Sequence, residues 1–171
     1  VTFPAWREEP IARTHRRSAF DCGVPALDEY LRRFARQNHE LGGAKAFVAV
    51  PLAEPTRVLG YYTLSPASLA YDRVPSEVTR GLARHDVPVF RLGRLAVDRS
   101  VQGLGLGGQL LLAAGARAVK VALQAGGVAL TIDAEDERAA RWYAGFGALR
   151  LLDAPQTLVL PLETIARALE G

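Results

Sequence analysis

The chain predicts an α+β (mixed α/β) fold, a central twisted mixed sheet flanked by helices. Three observations carry that expectation. Strand-like segments outnumber helical ones early in the chain. The centre then alternates strand, helix, strand, helix. With 171 residues, 49% of them hydrophobic and 23% charged, the chain has the size and balance of one folded domain around one core, so residues 1–171 are read as a single domain.

Taken in order, residues 1–20 read as an extended, basic lead-in with Arg7, Arg13, His15, Arg16 and Arg17. Pro25 then opens a helix to about Leu41, with Asp28 and Glu29 in its early turns, where they suit the helix dipole. Leu27, Tyr30, Leu31, Phe34 and Ala35 recur at i, i+3, i+4, i+7 and i+8, the spacing of a core-facing stripe. Arg32, Arg33 and Arg36 fall on the other side, within an arc of about 100°. Gly42-Gly43 ends the helix. Residues 46–51 and 58–65 are apolar strands around the turn Glu54-Pro55-Thr56 and should pair as a hairpin. Residues 76–84 read as a short helix capped by Ser76. A strand over 87–97, a helix over 105–124, a buried strand over 128–134 and a helix over 135–144 follow. Late strands at 149–152 and 158–160 precede a closing helix at 162–169.

Composition narrows the function classes. Cys22 is the only cysteine, so no internal disulfide can form, which fits a reducing cytosol and a cytoplasmic protein. His15, His39 and His85 are scattered and offer no metal-ligand spacing, so no metal is expected. No apolar run reaches the ~18 residues of a membrane span, and Pro4, Arg7, Glu8, Glu9 and Pro10 interrupt any signal peptide. The chain opens on Val1 instead of Met, as a processed or trimmed chain would. Net charge is +3, and Lys45 and Lys120 are the only lysines. The preference for arginine suits phosphate recognition by a planar fork, and equally suits a GC-rich genome.

The most informative segment is 91–108. A strand ends in closely spaced glycines, Gly103, Gly105, Gly107 and Gly108, and the chain runs straight into a long apolar helix. A helix N-terminus presents unpaired N–H groups and partial positive charge, and glycines let backbone close on a phosphate. No Lys-Ser or Lys-Thr pair follows, which excludes a nucleotide P-loop, and the spacing fits a dinucleotide fingerprint poorly.

The pattern Gln102-x-x-Gly105-x-Gly107 resembles the acetyl-CoA loop of the GNAT N-acetyltransferases, [Gln/Arg]-x-x-Gly-x-[Gly/Ala]. The stretch Ala139-Ala-Arg-Trp-Tyr-Ala-Gly-Phe-Gly147 resembles a second GNAT feature, an aromatic-Tyr pair before a Phe-Gly-Phe turn, here with Ala148 in place of the last aromatic. The resemblance implies a single GNAT-like domain that takes acetyl-CoA as acetyl donor. Gln102, Gly103, Leu104, Gly105, Leu106, Gly107 and Gly108 would hold its diphosphate. The backbone of Leu95, Ala96 and Val97, splayed from the strand near 128–134, would pair with the pantetheine arm. Tyr143 would be the general acid at the departing sulfur.

Three further motifs, Phe20-x-Cys-Gly-x-x-x-Leu-Asp-x-Tyr-Leu31, Gly60-Tyr-Tyr-Thr-Leu-Ser65 and Leu92-Gly-Arg-Leu-Ala-Val-Asp98, are similar to TacT/AtaT-type toxin acetyltransferases. That branch implies acetylation of the α-amine of an aminoacyl-tRNA and a block of translation. It also implies a ribbon-helix-helix antitoxin and a possible homodimer. Arg13, Arg16, Arg17, Arg32, Arg33, Arg36, Arg91 and Arg94 are the candidate tRNA-binding residues, since phosphate contacts dominate nucleic-acid affinity. Asp98, Asp133, Glu135 and Asp136 lie nearby in sequence, but Asp98 and Asp136 read as loop and cap residues and none stands out as a general base. That gap favours an α-amine, which titrates near 7.7–8.0, over a lysine near 10.4. A protein N-terminus or small amine as acceptor, or a non-catalytic acyl-CoA-binding module, are the alternatives.

Overall fold

A computed structural model describes residues 3–171; positions 1 and 2 of the lead-in lie outside the described residues. The strands form a seven-stranded mixed sheet in the order β1-β2-β3-β4-β5-β7-β6, the α+β architecture expected. The chain gathers into two compact units. One takes in the chain up to Ser65 together with Arg94–Leu111; the other is Pro66–Gly93 with Leu112–Gly171.

In the first unit the lead-in is not simply extended. Trp6–Pro10 (β1) is an edge strand, antiparallel to Lys45–Pro51 (β2), with Trp6 opposite Pro51 and Pro10 opposite Phe47. Its sequence, Trp-Arg-Glu-Glu-Pro, has the charge and the terminal proline that an edge tolerates and no apolar run to announce it. β2 pairs in turn with Gly60–Leu69 (β3), Lys45 opposite Leu64 and Ala49 opposite Gly60, so the expected hairpin is present. From Ala46 to Pro51 every residue of β2 is buried, because the strand is covered on both faces.

The expected helix over 25–41 is broken. Pro25–Arg33 (α1) and Ala35–Leu41 (α2) are separated by Phe34, whose φ of −120° leaves the helical basin. Phe34 is consequently 52% exposed instead of part of the core stripe, and its ring lies 6.3 Å from that of Tyr30. Leu31 and Ala35 remain fully buried with Phe20, Val48 and Tyr61. The break also undoes the arginine arc, since Arg36 now starts from a different helix than Arg32 and Arg33. Gly42, at φ +84°, closes α2 as expected.

In the second unit, Ser76–Thr79 (α3) is much shorter than the 76–84 expected. Pro75 precedes it, Ser76 is its first helical residue and not a cap, and Gly81, at φ +83°, lies just beyond its end. Val87–Val97 (β4) leads to Leu106–Ala125 (α4), then Ala129–Asp133 (β5) and Glu137–Ala144 (α5). Leu149–Arg150 (β6), Thr157–Pro161 (β7) and Leu162–Glu170 (α6) complete the chain. β5 is parallel to β4 and antiparallel to β7, which also pairs with β6. α4 packs so closely on α6 that a Cβ at Gly115 would lie 2.6 Å from Ile165 Cγ2.

One sequence expectation about α4 needs correction. Its 20 residues, with a mean hydropathy of 1.3 over the best window, make it long and apolar enough to cross a membrane by length and composition. Core helices pass the same test, and Leu110, Leu111, Ala114 and Ala118 are buried in the fold, while Lys120 is exposed.

Candidate active site

The glycine loop joins β4 to α4, as the sequence predicts. Gly103 (φ +79°) and Gly105 (φ +92°) are left-handed, a conformation that side-chain-bearing residues adopt only at a cost. A Cβ at either position would meet nothing within 4 Å, so both face open space. Gly107 and Gly108 lie instead in the first turn of α4. The N–H of Gln109 reaches back to the Gly105 carbonyl at 3.3 Å, which begins the helical ladder. The N–H groups of Leu106, Gly107 and Gly108 precede that bond, so they have no carbonyl within the helix to accept them. Leu106 itself is buried and anchors the loop, while Leu104 is half-buried. Open space over left-handed glycines beside unspent donors is the shape and chemistry that a diphosphate requires.

Gln102 has a different place from the one its position in the motif suggests. Its Nε2 donates to two carbonyls at 2.8 Å each, those of Cys22 and Val97. Both partners can only accept, so the amide orientation is fixed and no side-chain donor of Gln102 is left for a ligand. Asp98 forms a second tie: Oδ1 accepts the Asp21 N–H at 2.9 Å and Oδ2 accepts the Ser100 N–H at 3.1 Å. The Arg99 N–H adds a bond to the Asp21 carbonyl at 2.8 Å. The Phe20-x-Cys-Gly and Leu-Ala-Val-Asp motifs, far apart in sequence, are thus one hydrogen-bonded block. The spacing of the motifs carries no sign of this pairing, which is why sequence reasoning missed it. Cys22 in this block is half-buried and packs against the core, and burial pushes its thiol up to about 12, so it stays protonated.

β4 extends past its neighbour. Parallel pairing of β4 with β5 covers Phe90, Arg91 and Leu92, opposite Leu130, Thr131 and Ile132. β4 continues beyond that ladder through Leu95, Ala96 and Val97. Gly60 lets β3 approach here: a Cβ on it would lie 2.9 Å from the Ala96 carbonyl and 2.9 Å from Leu110 Cδ1.

Tyr143 lies on the last turn of α5, 9% exposed, with its ring edge-on to Trp142 at 4.9 Å. Its hydroxyl takes no hydrogen-bond partner among the described residues. Burial, and secondarily the Glu135 charge, pushes the phenol above its ordinary range, so it carries its proton at any physiological pH. Asp136 caps α5 through the Ala139 N–H at 2.8 Å. Asp133 is bound by Arg91 at 3.0 Å and by Thr157 at 2.9 Å, and Asp98 is committed to the loop. That leaves Glu135, exposed, as the one uncommitted carboxylate of the four candidates.

The eight candidate arginines divide by partner. Arg16 is paired with Glu54, Arg33 with Glu29 at 3.5 Å, Arg36 with Glu40 at 2.8 Å and Arg91 with Asp133. The Arg94 guanidinium sits over the Tyr30 ring, 3.5 Å from its centroid. Arg13, Arg17 and Arg32 have no ion pair among the described residues.

Residues 10–148 match the acetyltransferase (GNAT) family. The chain is 39% identical over 154 residues to a tRNA-acetylating toxin of Mycobacterium tuberculosis, covering 90% of each. It is 27% identical to a probable toxin TacT of Sinorhizobium fredii, covering 95% of this chain and 94% of that one. Among solved structures it is similar to AtaT complexed with acetyl-methionyl-tRNAfMet, with a TM-score of 0.89, 26% identity, and coverage of 96% and 99%. AtaTR bound with AcCoA gives a TM-score of 0.83 at 27% identity, covering 96% and 98%. With four-fifths of its length inside the matched region and a close relative along nine-tenths of it, the chain belongs to the GNAT acetyltransferase family.

Proposed function

We propose that this protein transfers the acetyl group of acetyl-CoA to the α-amine of an aminoacyl-tRNA and so blocks translation. The observation that carries this reading is the 39% identity to a tRNA-acetylating toxin over 90% of both chains, on a fold whose glycine loop has a diphosphate-binding shape.

In this reading Gly103, Leu104, Gly105, Leu106, Gly107 and Gly108 receive the diphosphate through backbone N–H groups, with Gln102 holding the loop in shape. Leu95, Ala96 and Val97 offer backbone groups to the pantetheine arm. Acetyl-CoA supplies the activated acetyl group. The neutral amine attacks the thioester carbonyl carbon, a C–N bond forms, the C–S bond breaks, and the amine proton balances the departing thiolate. Tyr143 stabilises that sulfur by donating a hydrogen bond. Its phenol, raised above its ordinary range by burial and then by the Glu135 charge, is protonated and so has a proton to offer the sulfur as general acid. An α-amine near pKa 7.7–8.0 is partly neutral at physiological pH, so it can react without a strong protein base.

Of the eight candidate arginines, Arg13, Arg17, Arg32 and Arg94 are the ones without an acidic partner and so the most available to RNA in this reading. The paired arginines Arg16, Arg33, Arg36 and Arg91 are largely neutralised where they stand. The protein works in the cytoplasm, as a homodimer, restrained by a ribbon-helix-helix antitoxin. The structure of a mutant AtaT toxin bound to the C-terminus of the antitoxin AtaR supports a restraining partner.

The test is purified enzyme with labelled acetyl-CoA and a panel of charged tRNAs. Label should appear on the aminoacyl α-nitrogen. Acetylation of peptides but never of charged tRNA would refute the acceptor, and the absence of any binding heat with acetyl-CoA would refute the enzyme.

A further inference from the structure

Arg17 and Arg32 converge, from the lead-in and from α1, on one cavity of about 360 Å³ in the first unit, lined otherwise by Ser18 and His15. No carboxylate lines it. Elsewhere on this unit Arg16 is met by Glu54, Arg33 by Glu29 and Arg36 by Glu40, while Arg94 stacks on Tyr30 and Arg13 has no ion pair among the described residues. The two guanidinium groups at the cavity are therefore charge that the fold itself leaves unanswered.

The walls are fixed in advance. His15 is 3% exposed and both its ring nitrogens are spent internally. Nδ1 accepts the Ala12 N–H at 2.9 Å, so the proton sits on Nε2 and is donated to Glu9 Oε1 at 2.8 Å. One residue on, the Arg16 N–H donates to the Thr56 carbonyl at 2.7 Å. Arg17 and Ser18 thus follow an anchored segment, and Arg32 extends from a helix. The backbone that carries both forks is anchored, so binding orders only their side chains, a smaller loss of freedom than for arginines on a loose tail. His15 contributes a floor and no ligand.

We propose that this cavity is a phosphodiester site that seats one backbone phosphate of the RNA acceptor, with Arg17 and Arg32 as its two forks and the Ser18 hydroxyl as a third donor. The proposal rests on the aminoacyl-tRNA reading given above and deepens it. Planar guanidinium groups match the two non-bridging oxygens of a phosphodiester. The cavity is open to solvent, so a phosphate can reach it without burying the sugars on either side. Occupation there fixes the register of the RNA and reads no base.

The test uses the full chain with Arg17→Ala, Arg32→Ala, the double variant, and Arg33→Ala as a control that changes net charge equally. KM for charged tRNA is measured across a salt series, beside acetylation of an aminoacyl methyl ester, which has no phosphate. The double variant should raise KM for charged tRNA roughly tenfold or more at unchanged kcat. Each substitution at the cavity should lower the log–log salt slope by about 1. Ester acetylation should stay at the wild-type rate, and Arg33→Ala should shift KM by less than about twofold. Equal losses in Arg32→Ala and Arg33→Ala would show a diffuse field and overturn the site. So would wild-type KM and slope in the double variant, or a double variant that keeps tRNA turnover but escapes the antitoxin, which would assign the cavity to a protein carboxylate. If the wild type acetylates no charged tRNA, the functional reading fails by itself. Binding of uncharged tRNA then tests the cavity: weaker binding by the double variant sustains the site, and unchanged binding overturns it.

Discussion

Replacing Gln102 separates a residue that shapes the coenzyme loop from one that touches the coenzyme. Gln102→Ala deletes two donated hydrogen bonds, to Cys22 and Val97, each 2.8 Å long. The side chain is at the surface, so water can meet the freed carbonyls and each bond contributes about 1 kcal/mol net. The loss is about 2 kcal/mol, which for a chain of this size lowers Tm by roughly 4–8 °C. Gln102→Glu is the sharper variant. It keeps the shape but turns a carboxylate toward two carbonyl oxygens, so its cost should exceed that of alanine, on the order of 3 kcal/mol. The assay is thermal unfolding of the coenzyme-free protein, followed by calorimetric titration with acetyl-CoA. Both variants should melt lower before any ligand is added, in the order wild type, alanine, glutamate. If both melt with the wild type and only coenzyme affinity falls, Gln102 binds the ligand and the tie is incidental.

Other expectations follow from the same geometry. Tyr143→Phe should cut kcat by about 10²–10⁴ with acetyl-CoA affinity within about twofold, read from steady-state rates beside titration calorimetry; wild-type turnover would remove Tyr143 from the chemistry. Because burial and then Glu135 raise the Tyr143 phenol, no descending basic limb should come from it. The kcat/KM profile should rise through an apparent pKa near the amine's 7.7–8.0 and hold level to about pH 10, and a fall beginning near pH 8–9 would contradict this. Gly60→Ala places a Cβ 2.9 Å from the Ala96 carbonyl and from Leu110 Cδ1, so it should destabilise by about 1–3 kcal/mol in denaturant unfolding. The direction for Glu9 can also be worked out. Its pKa is lowered first by its hydrogen bond from His15 and then by Arg7, so the stability it contributes is present above the ordinary carboxylate value and lost as pH falls through the lowered one. His15→Asn should therefore flatten the acid limb of a stability–pH curve below about pH 4.5, and an unchanged limb would discount the pair.

The sheet, its hairpin and the strand–glycine loop–helix were legible because each rests on local periodicity and on glycines with a stereochemical duty. What was illegible depends on contacts between distant residues. β1 becomes a strand only because β2 lies beside it; Trp-Arg-Glu-Glu-Pro has no strand signature alone. Phe34 breaks a helix without glycine or proline, and its aromatic-apolar pattern was indistinguishable from a continuous stripe. The eight arginines looked alike in sequence. Partners such as Glu54 for Arg16 and Asp133 for Arg91 are supplied from 38 and 42 residues away, and they decide which charges remain available. Gln102 was recognised by its place in a motif, but its function in the loop follows from carbonyls that only the folded chain brings to it.

The Trp6 indole N–H donates to Gln109 Oε1 across 103 positions of sequence, and Gln102 reaches the Cys22 carbonyl across 80. A nucleus for coenzyme capture therefore cannot form from the glycine segment alone. It requires closure of a long chain loop, an entropic debt that local contacts do not offset, and it makes this part of the molecule slow to assemble. A ligand that binds only the folded loop stabilises every contact that shapes it, so acetyl-CoA at a hundred times its Kd should add about 2.7 kcal/mol to stability.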